Sequence, residues 1–151
     1  GISAKVHSAG VSGDTSAAGL RRFDFVLDSL KRKPDLVVIG LGGNDMLRGI
    51  KPEETAKNME AMLQNLKKRG INSMLSGMLA APNLGEEYSS KFNPLFPRLA
   101  QKYDAAFYPF FMDGVVGDTS LILSDGIHPN AEGIDIIVGK ITPVVIEALG
   151  K

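Results

Sequence analysis

Leu36-Val37-Val38-Ile39 runs directly into Gly40-Leu41-Gly42-Gly43-Asn44-Asp45. Four consecutive aliphatic residues, three of them β-branched, predict a short strand buried on both faces, as in parallel sheets covered by helices. The glycines that follow predict a loop over residues 40–49, at the strand's carboxyl end. Parallel strands need crossover helices, and the flanking sequence supplies them. Upstream, Leu20, Phe23, Leu27 and Leu30 recur at helical spacing, with Pro34 as a stop. Downstream, Pro52 at a first turn, Glu53 and Glu54 beside it, and the stripe Ala56, Met59, Met62, Leu63, Leu66 predict a second helix, closed by Lys67-Lys68-Arg69-Gly70.

Farther out, the alternation continues. Residues 2–8 predict a strand, residues 71–79 another, and residues 105–110 a fourth. A helix around residues 88–103 contains Pro94 and Pro97 and is expected to kink or start late. The last helix carries Ile134, Ile137, Val138, Ile141, Val145 and Leu149, with a bend expected at Pro143. Strand–helix alternation implies an α/β parallel sheet sandwiched by helices, and 151 residues suit a single domain, 1–151. In such sheets ligands bind outside the carboxyl ends of the strands. That directs attention to the loops at residues 10–16, 40–49, 80–87 and 111–130.

Composition narrows the chemistry. Seventeen Lys+Arg balance seventeen Asp+Glu, so a neutral chain without a basic run gives no electrostatic case for nucleic acid. No cysteine means no disulfide, thiolate metal site or thiol nucleophile, and two histidines make a His-rich metal site a poor expectation. No apolar run approaches the ~20 residues of a membrane span. Catalysis would have to rest on Ser, His, Asp, Asn or Glu.

Three loops hold such residues. In Asp125-Gly126-Ile127-His128-Pro129-Asn130, a carboxylate three residues before a histidine can hold the imidazole Nδ1–H and leave Nε2 free as a base. The plainer reading is that Asp125 or Asn130 caps the last helix. In Leu41-Gly42-Gly43-Asn44-Asp45, the glycines admit a close backbone approach and Asn44 offers an NH₂ donor to a developing oxyanion, although the same residues build ordinary turns. A Gly-Asn-His metallophosphoesterase box does not fit, because no histidine lies nearby. In Ser12-Gly13-Asp14-Thr15-Ser16, Gly13 can present a bare N–H, and Asp14 or Thr15 can cap the next helix, with capping the expected role of Asp14.

Together, in this order and spacing, the three loops resemble the SGNH (GDSL-like) hydrolases, in particular the bacterial arylesterase and thioesterase I/lysophospholipase I branch. Leu47-Arg48-Gly49 and Pro109-Phe110-Phe111-Met112 look like the same branch. The resemblance implies a flavodoxin-like three-layer α/β/α fold with a parallel sheet of order 2-1-3-4-5. It implies His128 as general base, Asp125 as its orienting partner, Gly13 and Asn44 as oxyanion-hole donors, and an acyl-enzyme route for carboxylic esters or thioesters without metal or cofactor. It also makes a periplasmic or secreted bacterial setting an expectation.

One block of that pattern is absent: an apolar strand ending in Gly-Asp-Ser with the nucleophile. Ser12 and Ser16 fall in the glycine block, and Ser124 reads as a turn residue. Since the first strand of a 2-1-3-4-5 sheet is internal, the expectation is that a preceding strand-plus-helix unit, on the order of 30 residues, supplies both that strand and the serine. The alternative is a non-catalytic acyl- or ligand-binding domain on a scaffold without a nucleophile. Met46, Leu47, Pro82 and Phe111 are candidate substrate-groove residues. An apolar rim in a chain without Trp suits acyl or aryl esters better than polysaccharide acetates.

Overall fold

The computed structural model describes residues 3–150. Strand β1 (Leu36–Ile39) pairs with β2 (Asn72–Ser76), and β2 with β3 (Ala106–Tyr108), all parallel and in that order. Helices α1 (Ser16–Ser29), α2 (Gly43–Leu47), α3 (Pro52–Arg69), α4 (Gly85–Phe92), α5 (Leu95–Tyr103) and α6 (Ala131–Leu149) connect and cover them. Val37, Ile39, Leu75 and Phe107 point into the main core, where Met59, Met62, Leu63, Leu66, Phe92 and Phe96 pack against them. Strand side chains alternate between faces, so Val38, Met74, Ser76 and Tyr108 face the other way, where α6 packs on β2 and β3.

Local chemistry explains most boundaries. Pro52 sits in the first turn of α3 and Glu53 and Glu54 beside it, where a helix lacks internal partners for its N–H groups. At the other end Gly70 takes φ +62, and Ile71 N bonds Leu66 O at 3.0 Å while Gly70 N bonds Lys67 O at 3.1 Å, so two terminal carbonyls are satisfied. The segment around Pro94 divides into two helices, because Pro94 has no N–H to continue α4. Asn93 in the break accepts a 2.8 Å bond from Ala80 N and ties it to the loop after β2. The last helix α6 runs continuously through Pro143.

Four expectations need correction. The strand expected over residues 2–8 does not form in residues 3–8, which are exposed and unpaired; Ile2 lies outside the described residues. A strand is held by a neighbour's backbone, and no described strand flanks β1 on that side. β1 is also not buried on both faces: Val38, on the face where α6 packs on β2 and β3, is 46% exposed. Residues 43–47 form the short helix α2 rather than open loop, Gly42 entering it at φ +106. Thr15, not Asp14, caps α1, accepting from Ala18 N at 3.2 Å, while Asp14 pairs with Arg22 at 2.7 Å.

Candidate active site

The chain leaving β3 winds back into a turn closed by an antiparallel bridge between Ile122 and Pro129 and by a 2.7 Å bond from Leu123 N to His128 O. Gly126 crosses the turn at φ +73, a conformation that glycine adopts without strain. This geometry places Asp125 beneath its own successors. Its Oδ1 accepts from Ile127 N at 2.9 Å and His128 N at 3.0 Å, and its Oδ2 lies 2.7 Å from His128 Nδ1. Bonds from the His128 backbone, its ring and the Ile127 backbone hold the Asp125 carboxyl down at about 2. Above that range the group is an anion held against the Nδ1 side of the ring. The ring is 63% exposed, and Nε2 has no hydrogen-bond partner among the described residues. Helix capping, the competing role for Asp125, falls to Asn130, whose Oδ1 accepts from Gly133 N at 3.0 Å.

The second half of the site is built from the ends of α1 and β1. Asp14 N bonds Val11 O at 3.2 Å, closing a turn in which Gly13 takes φ +82. Two side chains from the α2 segment hold that turn: Asn44 Nδ2 donates to Asp14 O at 3.0 Å, and an Arg48 guanidinium nitrogen donates to Gly13 O at 2.9 Å. One amide hydrogen of Asn44 is thereby committed and the other remains available. Gly42 and Gly43 have little room for a side chain. A Cβ on Gly42 would lie 2.9 Å from Phe96 Cζ, and one on Gly43 3.2 Å from Met78 Cε.

The structure thus joins Asp125 to His128, and Asn44 to Asp14 in the Gly13 turn, while no hydrogen bond among the described residues links the two pairs. Topology puts both at the carboxyl side of the sheet, one after β1 and the other in the loop after β3. Of the groove candidates, Leu47 and Pro82 are exposed and Phe111 is half-buried against the smaller core cluster under α6. Met46 is buried in the main core, and its sulfur accepts from Ala81 N at 3.2 Å, so it joins the α2 segment to the loop after β2 instead of facing solvent. Ser16 is fully buried with its hydroxyl engaged by Asp45 and Asn58, which removes it as an accessible nucleophile. Sequence reading missed the fastening roles of Asp45, Thr55, Asn58 and Arg48, whose partners lie 10 to 42 residues away.

The sequence pattern of the GDSL-like Lipase/Acylhydrolase family matches residues 2–136. This chain belongs to that family. Esterase TesA of Pseudomonas aeruginosa is 40% identical over 129 residues, which cover 85% of this chain and 63% of that protein. An arylesterase of Vibrio mimicus is 36% identical over 127 residues, covering 84% and 62% respectively. The chain therefore spans a little over three fifths of the length of these curated relatives. Among solved structures, AlinE4, described as an SGNH-hydrolase family esterase, superposes with a TM-score of 0.80 at 46% identity, over 97% of this chain and 77% of that one. The psychrotrophic esterase EstA from Pseudoalteromonas gives 0.87 at 29% identity, over 95% and 77%.

Proposed function

We propose that this chain carries the acid–base pair and two oxyanion donors of a serine esterase acting on carboxylic esters or thioesters. The observation that carries the reading is the Asp125–His128 pair at 2.7 Å with Nε2 free, at the same sheet end as the Gly13–Asn44 turn. In this reading the nucleophile is a serine on a segment preceding these residues. That segment also contributes the strand beside β1 and completes the order 2-1-3-4-5. The exposed Val38 and the unpaired run 3–8 support it, since the helix of a preceding strand-plus-helix unit would cover the first and its strand would give the second a neighbour.

The serine hydroxyl attacks the acyl carbon as His128 Nε2 takes its proton, and the imidazolium is stabilised by Asp125. The carbonyl oxygen becomes an oxyanion held by Gly13 N–H, the free Asn44 amide hydrogen and the serine's own N–H. His128 then protonates the departing alkoxide or thiolate. Water, deprotonated by the same nitrogen, attacks the acyl-serine and releases the acid. Exposed Leu47 at the end of α2, with Leu79, Leu123 and Ile127 on the loops after β2 and β3, favours acyl or aryl substrates, lysophospholipid and acyl-CoA among them.

The test is covalent labelling of the full-length protein with a fluorophosphonate, peptide mapping of the adduct, and turnover of a p-nitrophenyl acyl ester. Labelling of a serine on the segment preceding residue 1, abolished in His128→Ala, is the expected result. No labelling and no turnover refute the esterase reading in favour of a binding scaffold, and an adduct on Ser12 or Ser16 refutes the block assignment.

A further inference from the structure

The most deeply buried acid of the chain has no part in the cycle above. Asp45, with no exposed surface, accepts from Ser16 N at 2.7 Å, from the Ser16 hydroxyl, and from Thr55 Oγ1 at 3.1 Å. Asn58 Nδ2 completes the cluster by donating to Ser16 Oγ at 3.0 Å. One carboxyl group therefore binds the first turn of α1, the helix α2 and the first turns of α3 together. Five residues are far too few to stabilise a helix in isolation, so the orientation of α2 depends on its anchors. Asn44 and Asp45 are adjacent in α2 and project about 100° apart, as successive residues do at 3.6 per turn. Anchoring Asp45 on one side sets the direction of the Asn44 amide on the other. Ser16 also follows directly on residues 13–15, so the Gly13 turn is referenced to the same carboxyl.

We infer that Asp45 is the positioning residue of the oxyanion cradle, acting through Asn44 and the Gly13 turn by its bonds to Ser16 and Thr55. This rests on the esterase reading proposed above. A bond to Ser16 N needs an oxygen acceptor, and a second oxygen is needed for Ser16 Oγ and Thr55 Oγ1; Asn at position 45 supplies only one oxygen and turns an NH₂ toward the remaining donors. A shift of α2 by a fraction of an ångström would misalign a donor whose value lies in its preorganisation.

The experiment uses the full-length protein and the same ester assay, with melting curves to establish folding. Asp45→Asn is expected to lower kcat about 10-fold or more with KM changed less than about 3-fold. Thr55→Val, which removes one donor at constant shape, is expected to lower kcat by a smaller factor, and Thr55→Ser to restore it. Because Asp45 acts through Asn44, the loss from Asp45→Asn should shrink to about 3-fold in an Asn44→Ala background. Fully multiplicative losses, or a rise in KM alone, overturn the inference. If Asp45→Asn fails to fold, the Thr55 pair decides: Thr55→Val turning over like the parent overturns it. An inactive, unlabelled parent protein instead sinks the esterase reading itself.

Discussion

Asn44→Ala is the perturbation that bears most directly on the proposed cycle. The Asn44 amide has two hydrogens, one bonded to Asp14 O at 3.0 Å and the other free for an oxyanion. Truncation therefore does two separable things. It deletes one of three proposed donors, expected to lower kcat by ~10²–10³, or about 2.7–4 kcal/mol of transition-state stabilisation. It also leaves the Asp14 carbonyl unpaired at a half-buried position, which costs about 1 kcal/mol of stability and moves Tm by roughly 2–4 °C for a domain of this size. Asn44→Asp provides the control, because an ionised carboxylate has no hydrogen to donate to either acceptor. Steady-state turnover of a p-nitrophenyl ester and a circular-dichroism melt measure the two effects on the same samples. A kcat within about 3-fold of the parent, with the melt unchanged, removes Asn44 from the oxyanion role. A melt that collapses along with activity assigns the residue to folding instead.

Three further outcomes are expected. The Asp125 carboxyl, held at about 2 in the folded chain, contributes stability that is complete above the unfolded value of about 3.9 and lost as pH falls toward 2; urea melts of the parent and Asp125→Asn should differ at pH ~5 and converge toward pH 2, and a gap that widens on acidification from pH ~5 contradicts this sign. Gly42→Ala puts a side chain at φ +106 and 2.9 Å from Phe96 Cζ, so urea denaturation should show a loss of about 2 kcal/mol or more, and a loss under ~0.5 kcal/mol contradicts the steric argument. Val38→Asp in the full-length protein should destabilise by more than about 2 kcal/mol if a strand and helix cover β1, whereas the 46% exposure seen here corresponds to roughly 0.5 kcal/mol or less, which urea melts distinguish.

Features whose causes lie within a few residues could be read without coordinates. The limits of α3 follow from Pro52, its neighbouring acids and Gly70, all within a turn of the ends they define. The Asp125–His128 bond joins residues three apart in a turn bent by Gly126, and the break near Pro94 follows from a missing N–H. That β1, β2 and β3 run parallel follows from strand–helix alternation.

What tertiary structure alone decided depends on neighbours distant in sequence. Residues 3–8 belong to a loosely alternating run that reads as a strand but have no adjacent backbone to bond among the described residues, and Val38 has a core residue's chemistry on an uncovered face. Met46 reads as a groove residue until the packing of β1 and the loop after β2 encloses it. Ser16 falls in the glycine block by sequence, and only the fold brings Asp45, 29 residues away, onto its hydroxyl. Local chemistry acts through a few covalent bonds and leaves its mark in spacing; burial and long-range hydrogen bonding act through space, and only the assembled sheet determines which side chains they reach.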